Sequence, residues 1–195
     1  MSQEPIKNSS CFVIGLVGET GSGKDTVANY LHHKYRAKDL RIADSLKQAL
    51  GLFFERFSKE DQKWLALEFK RRFGEDVLFR ALERHVDLLS GGNVCVNGLR
   101  FMEDLDFIRS YPHNAVIYVT APQKLRWERT RFRGEKTDDD QTFEEFQAFE
   151  KSETERSISE IGAKADVMIN NTGDLDALFD AVDVFLSHKL AEKSE

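Results

Sequence analysis

Cysteine is scarce. Only Cys11 and Cys95 occur, each beside apolar residues, so a disulfide framework is excluded and reduced, buried thiols are expected. Proline is nearly absent, with three residues in 195, and there is no proline-rich linker, repeat or low-complexity tract to divide the chain. Basic charge is in deficit: 28 Lys and Arg stand against 34 Asp and Glu, for a net charge of −6. That balance argues against nucleic-acid phosphates or an anionic membrane as the main partner, though it allows a local basic patch. The histidines, His32, His33, His85, His113 and His188, form no HExxH or related spacing, so zinc is not expected. No long apolar run is present. The first ten residues, MSQEPIKNSS, lack the apolar centre of a signal peptide, and Cys11 to Val17 is too short to cross a bilayer. A cytoplasmic protein is expected.

What is present is enough apolar sequence, 41%, for one sizeable core. Cys11 to Val17 (CFVIGLV) reads as a buried strand that stops at a glycine-rich turn. Helical spacing follows from about Lys24 to Tyr35, from Ser45 to about Phe57 (Leu46, Ala49, Leu50, Phe53, Phe54), near Glu60 to Arg72 and from Glu75 to Leu89. Further strands are read at Asp39 to Ala43, Asn93 to Val96, Ala115 to Thr120 and Asp166 to Ile169. Strands alternating with helices imply a parallel sheet covered on both faces. The reading is one domain over residues 1–195, with flexible ends at about 1–10 and 190–195.

Between the first strand and the first helix lies Gly18-Glu19-Thr20-Gly21-Ser22-Gly23-Lys24-Asp25-Thr26. This is the setting a phosphate-binding loop requires. Glycines allow a tight turn that aims backbone N–H groups inward, the helix start adds positive potential, and Lys24 brings a mobile charge to β- and γ-phosphates. Gly18, Gly21, Ser22, Gly23, Lys24, Asp25 and Thr26 are therefore the candidate ATP-binding residues. The usual pattern has Ser or Thr after the lysine to meet Mg²⁺. Here Asp25 takes that place and Thr26 follows, and either supplies an oxygen ligand.

The Gly-Lys-Asp-Thr spelling resembles small P-loop kinases, including phage and bacterial deoxynucleoside monophosphate kinases. Arg41-Ile42-Ala43-Asp44-Ser45-Leu46-Lys47 is similar to their Phe-Ala-Asp-Pro-Leu-Lys segment and to a strand-end aspartate of dephospho-CoA kinases. The resemblance implies that Asp44 orients the acceptor or takes its proton; the residue also suits a helix N-cap. Val94-Cys95-Val96-Asn97-Gly98-Leu99-Arg100-Phe101-Met102-Glu103-Asp104 resembles a strand, Asp-Gly-x-Arg and acidic helix start found in these kinases and in archaeal dephospho-CoA-kinase-like proteins. It implies that Arg100 grips the acceptor's phosphate. Asn97 stands where the pattern has aspartate, which leaves Asp25, Glu103, Asp104 or the amide itself for the metal. Arg126, Arg129 and Arg133 open a run into the polar Gly134-to-Asp140 segment and resemble a lid. Asn171 and Thr172, in Asn170-Asn171-Thr172-Gly173, match where adenine rests in related kinases. No Asn-Lys-x-Asp guanine-reading motif occurs.

The expectation is an α/β, three-layer P-loop NTPase fold with a five-stranded parallel sheet, a helical acceptor-binding insertion at about 45–90 and a short lid at about 132–142. The resemblance implies an ATP- and Mg²⁺-dependent phosphotransferase acting on a nucleoside or deoxynucleoside monophosphate, or on a nucleotide-like molecule such as dephospho-CoA. The alternative is an ATP-binding switch or scaffold without a small-molecule acceptor. Nothing in the sequence fixes the acceptor or the oligomeric state.

Overall fold

The computed structural model describes residues 10–133, 142–151 and 153–192. β1 (Cys11–Val17) is buried along its whole length. It is the middle strand of a sheet whose order is β2-β3-β1-β4-β5, with β2 (Lys38–Leu40), β3 (Gly92–Asn97), β4 (Asn114–Thr120) and β5 (Val167–Asn170). Every pairing is parallel. A parallel strand covered on both faces has no polar side to alternate with, which is why β1 reads as unbroken apolar sequence. One face packs Phe12, Ile14 and Leu16 under α1 (Lys24–Tyr35) and α9 (Leu175–Glu192). The other packs Cys11, Val13 and Val17 under α4 (Val77–Asp87), α5 (Met102–Arg109) and α8 (Glu153–Gly162). The result is the expected three layers, with both thiols buried and outside any disulfide.

Between β2 and β3 the chain inserts α2 (Asp44–Gly51), α3 (Lys59–Phe73) and α4. α3 starts at a capping box, where Ser58 and Asp61 satisfy each other's backbone N–H groups. α2 is shorter than the sequence pattern suggests, and Phe53 and Phe54 are exposed instead of lying on its buried face. Only Leu46 and Leu50 have a core to enter, so nothing holds the helix beyond Gly51. β2 likewise ends at Leu40, and the chain turns through Ile42 and Ala43 into α2.

β4 leads through α6 (Gln123–Arg133), α7 (Phe143–Glu150) and α8 to β5. The expected lid falls largely on residues 134–141, outside the described residues, as does the side chain of Arg133. None of the described helices is long and apolar enough to cross a membrane.

Candidate functional site

The strand registers set Leu16 beside Asn97, Val17 beside Tyr118 and Thr120 beside Asn170. The carboxyl ends of the four strands therefore meet at one sheet edge, where open α/β sheets bind ligands. Gly18 to Gly23 cross that edge into α1. Gly21 and Gly23 hold φ of +79° and +99°. A Cβ at Gly21 would stand 2.3 Å from the Arg126 carbonyl oxygen, and one at Gly23 would stand 2.3 Å from the Asn171 amide nitrogen. Both positions thus require glycine for backbone angle and for space.

The loop is held from beneath. Ser22 N–H donates to the Glu19 carbonyl at 3.1 Å, and Asn171 Nδ2 donates to the Ser22 carbonyl at 2.8 Å. Tyr118 donates its hydroxyl proton to the Glu19 carboxylate. Burial, reinforced by that carboxylate, pushes the Tyr118 phenol up to about 12, so it remains a donor near neutral pH. Arg126 is only 7% exposed and gives its donors to Glu150, to the Ala121 carbonyl at 2.8 Å and to the Thr20 carbonyl at 3.4 Å. Arg129 Nη1 donates to the Asn171 carbonyl at 3.0 Å. Thr172 is exposed and its N–H bonds the Asn170 carbonyl. Of the three arginines read from the sequence as one lid, Arg126 and Arg129 are anchored beside the glycine loop.

In front of the loop lies a cleft of about 1130 Å³ lined by Lys24, Asp25, Asn97 and Arg100, with the α2–α4 insertion as its far wall. Lys24 Nζ is 3.8 Å from Asp25 Oδ2. Asp25 Oδ1 accepts from Asn97 Nδ2 at 2.9 Å and from Arg41 Nη2 at 3.4 Å. Thr26 is not part of the lining. Arg100 is set by the turn after β3: Asp104 Oδ2 accepts the N–H groups of Arg100 and Phe101 at 2.6 and 2.9 Å. Burial pushes the Asp104 carboxyl up, against the opposing pull of those two N–H groups. Arg41, Lys47 and Lys70 also line the cleft, and Phe79 and Phe107 stack beside them at 5.5 Å between ring centres. Lys70 and the two rings escaped the sequence reading, because they are spread over α3, α4 and α5 with no shared motif, whereas Arg41 and Lys47 lie in the segment around Asp44 but were given no role there.

Asp44 is not in the lining. As the first residue of α2 it accepts the Arg41 N–H at 2.9 Å and pairs with Lys47 at 3.6 Å. Its carboxylate closes its own turn. Among the described residues no three His, Cys, Asp or Glu side chains gather into a group that could hold a metal alone. A Mg²⁺ shared with nucleotide phosphates and water needs fewer protein ligands than that. Asp25 on the cleft wall fits such a shared ion.

The sheet order, the glycine loop leaving the central strand and the lysine at the start of α1 define a P-loop domain of the kinase-like class. A family profile described as an AAA domain matches residues 14–156, well over half of the chain, and the chain belongs to that family. Among similar proteins is "UPF0200 protein TK1334" of Thermococcus kodakarensis, 27% identical over 83% of this chain and 89% of that protein. Another is a UPF0200 protein of Staphylothermus marinus, 24% identical over 94% and 95%. A shikimate kinase of Lactococcus lactis is 28% identical over 58% of this chain and 62% of its own length. Among solved structures, the shikimate kinase of Aquifex aeolicus superposes with a TM-score of 0.58 at 17% identity, covering 92% of this chain and 99% of that one.

Proposed function

We propose that this protein is an ATP-dependent phosphotransferase that moves the γ-phosphoryl group to a small phosphorylated acceptor. A nucleoside or deoxynucleoside monophosphate, or a nucleotide-like molecule such as dephospho-CoA, is the acceptor class. The observation that carries this reading is the shared cleft: Lys24 and Asp25, where the phosphate loop enters α1, line it together with Arg41, Lys47, Lys70 and Arg100 and with the stacked Phe79 and Phe107. The cations share that lining with Asp25, Glu75, Asp76, Glu103, Asp104 and Asp106. A switch that only cycles nucleotide has no need of a charged, aromatic-lined space of that size beyond its phosphate loop.

In this reading the loop N–H groups and Lys24 bind the transferring phosphates, and charge that develops there meets fixed donors. Mg²⁺, when bound, neutralises phosphate charge; Asp25 or Thr26 holds it, and the cleft lining favours Asp25. Arg100, with Arg41, Lys47 and Lys70, holds the acceptor's anion, and the rings take its planar part. Arg129 and Arg133 act from the lid side. Arg126 and Asn171 serve as supports of the loop, and Asn170 to Gly173 border the adenine.

The test is an ADP-release screen over all ribo- and deoxynucleoside monophosphates, dephospho-CoA and shikimate. Turnover with one of the first two groups is expected. The shikimate kinase similarity makes a hydroxylated carboxylic acid the second reading, and turnover with shikimate alone selects it. ATP binding without stimulation by any acceptor favours the switch or scaffold.

Two smaller effects belong with this reading. Asp25→Ala weakens Mg²⁺-dependent activity more than Thr26→Ala, read by Mg²⁺ titration of both variants; the reverse order would give the metal to Thr26. Asp44→Asn keeps an oxygen for the Arg41 N–H, so melting and turnover stay within a few-fold of the parent. A fall of about 10²-fold in turnover with unchanged melting would instead make Asp44 the acceptor-orienting carboxylate.

A further inference from the structure

The two places where this chain departs from the usual phosphate-loop pattern touch each other. In that pattern a Ser or Thr follows the lysine and a strand-end aspartate supplies the carboxylate, both directed at Mg²⁺. Here the first place holds a carboxylate, Asp25, and the second an amide, Asn97 at the end of β3. They stand 72 residues apart in the chain, yet Asn97 Nδ2 donates to Asp25 Oδ1 at 2.9 Å. That bond decides which way round the amide sits, because only its NH₂ can face a carboxylate.

The consequence lies on the amide's other side. Asn97 is 6% exposed, and its Oδ1 is buried with no hydrogen-bond partner among the described residues, in a side chain that lines the cleft beside Lys24 and Asp25. A buried oxygen left without a donor is costly, and native structures retain one where something else completes it. Asn97 and Asp25 both line the cleft, and an amide oxygen and a carboxylate are both oxygen donors suited to a hard divalent cation.

We propose that Asp25 and Asn97 are a charge-exchanged metal pair, with Asp25 as the anionic arm and Asn97 Oδ1 as the neutral one. The negative charge has moved from the strand end to the helix start, and the neutral oxygen has moved the other way. The pair carries one carboxylate in either arrangement. Two carboxylates at this separation would repel, and none would leave the cation without an anionic ligand. Arg41, 3.4 Å from Asp25 Oδ1, holds the carboxylate in place from the acceptor side. The inference rests on the nucleotide-binding reading above and adds the coupling between the two positions.

The experiment is a titration of Mn²⁺, followed by electron paramagnetic resonance, into protein saturated with ADP. It compares the parent with Asp25→Ser, Asn97→Ala, Asn97→Asp and the double variant Asp25→Ser/Asn97→Asp. Binding of ADP in EDTA shows for each variant that the loop is intact. Asp25→Ser and Asn97→Ala are each expected to weaken Mn²⁺ binding by about tenfold or more. Adding Asn97→Asp to the Asp25→Ser protein restores affinity to within about threefold of the parent, since one carboxylate is again present. Asn97→Asp alone lowers the melting temperature of the metal-free protein, and Mn²⁺ with ADP recovers it. If the double variant binds Mn²⁺ no better than Asp25→Ser, the exchange is overturned, and that comparison stands even if Asn97→Ala does not fold. Parental Mn²⁺ affinity in a folded Asn97→Ala overturns the role of the amide oxygen. A parent that binds no ADP, with or without metal, removes the phosphotransferase reading as well; a parent that binds Mn²⁺ with ADP but shows no rescue loses this pairing alone.

Discussion

Lys24→Met is expected to fold as the parent does, to bind ATP about 10²-fold more weakly and to transfer phosphoryl groups about 10³-fold more slowly. The side chain is mostly buried at the loop, 14% exposed, and sits at the head of the cleft between the glycine turn and Asp25. Methionine preserves its length and apolar stem, so the packing of α1 against β1 and β3 is unaffected. In the proposed chemistry, what is lost is a charge that makes hydrogen bonds to phosphate oxygens, each contributing about 1.5–3 kcal/mol. The rate falls further than the affinity because charge on the transferring group and the leaving oxygen meets fewer fixed donors. Calorimetry with MgATP and a coupled ADP assay measure the two effects, and thermal melting confirms the fold. Parental ATP affinity in Lys24→Met would remove the lysine from phosphate binding and with it the main support for the proposed chemistry.

That residue was legible in the sequence because everything it depends on is local. A strand that is apolar at every position, a turn rich in glycine and a helix beginning at Lys24 are consecutive, and α1 has the bounds its spacing predicts. Local signals were weaker where burial arbitrates. Phe53 and Phe54 continue the helical spacing of Leu46 and Leu50, but among the described residues no element covers them and α2 stops. Asp44 suited both an acceptor-orienting carboxylate and a helix cap in the sequence, and the turn into α2 adds that its carboxylate accepts the Arg41 N–H. The departures at Asp25 and Asn97 were each visible in the sequence, yet their hydrogen bond depends on β1 and β3 being neighbours, which sheet order decides. Arg41 and Lys47 flanked Asp44 in its segment without a role of their own, and Lys70 belonged to no motif, until the fold set all three around one cleft.

Breaking the Arg126–Glu150 pair costs about 3–5 kcal/mol of stability, the usual result of leaving a buried charge unpaired. Both side chains are nearly enclosed, at 8% and 11% exposed, and the guanidinium also reaches the Ala121 and Thr20 carbonyls and lies over the Phe146 ring at 5.8 Å. Gln123 Nε2 adds a bond to Glu150 at 2.6 Å. No motif joins the partners in the sequence: they belong to α6 and α7, on either side of the residues read as a lid. The arrangement assigns Arg126 to support of the glycine loop, since Thr20 lies within it and the Arg126 carbonyl stands where a Cβ on Gly21 would go. Glu150→Ala is therefore expected to lower the melting temperature by roughly 10 °C in a chain of this size. Arg126→Lys is expected to lower it as well, because an ammonium cannot fork between the Glu150 carboxylate and two carbonyls. Replacing both partners, Arg126→Met with Glu150→Leu, removes the unpaired charge and recovers most of the stability. ATP affinity nevertheless stays below the parent's in that double variant, because the Thr20 carbonyl has lost its anchor. A lid arginine that meets the transferring group would give the opposite signature: Arg126→Met would depress turnover with saturating ATP and acceptor while leaving the melting temperature where it was. Melting and turnover measured on the same variants separate the two roles.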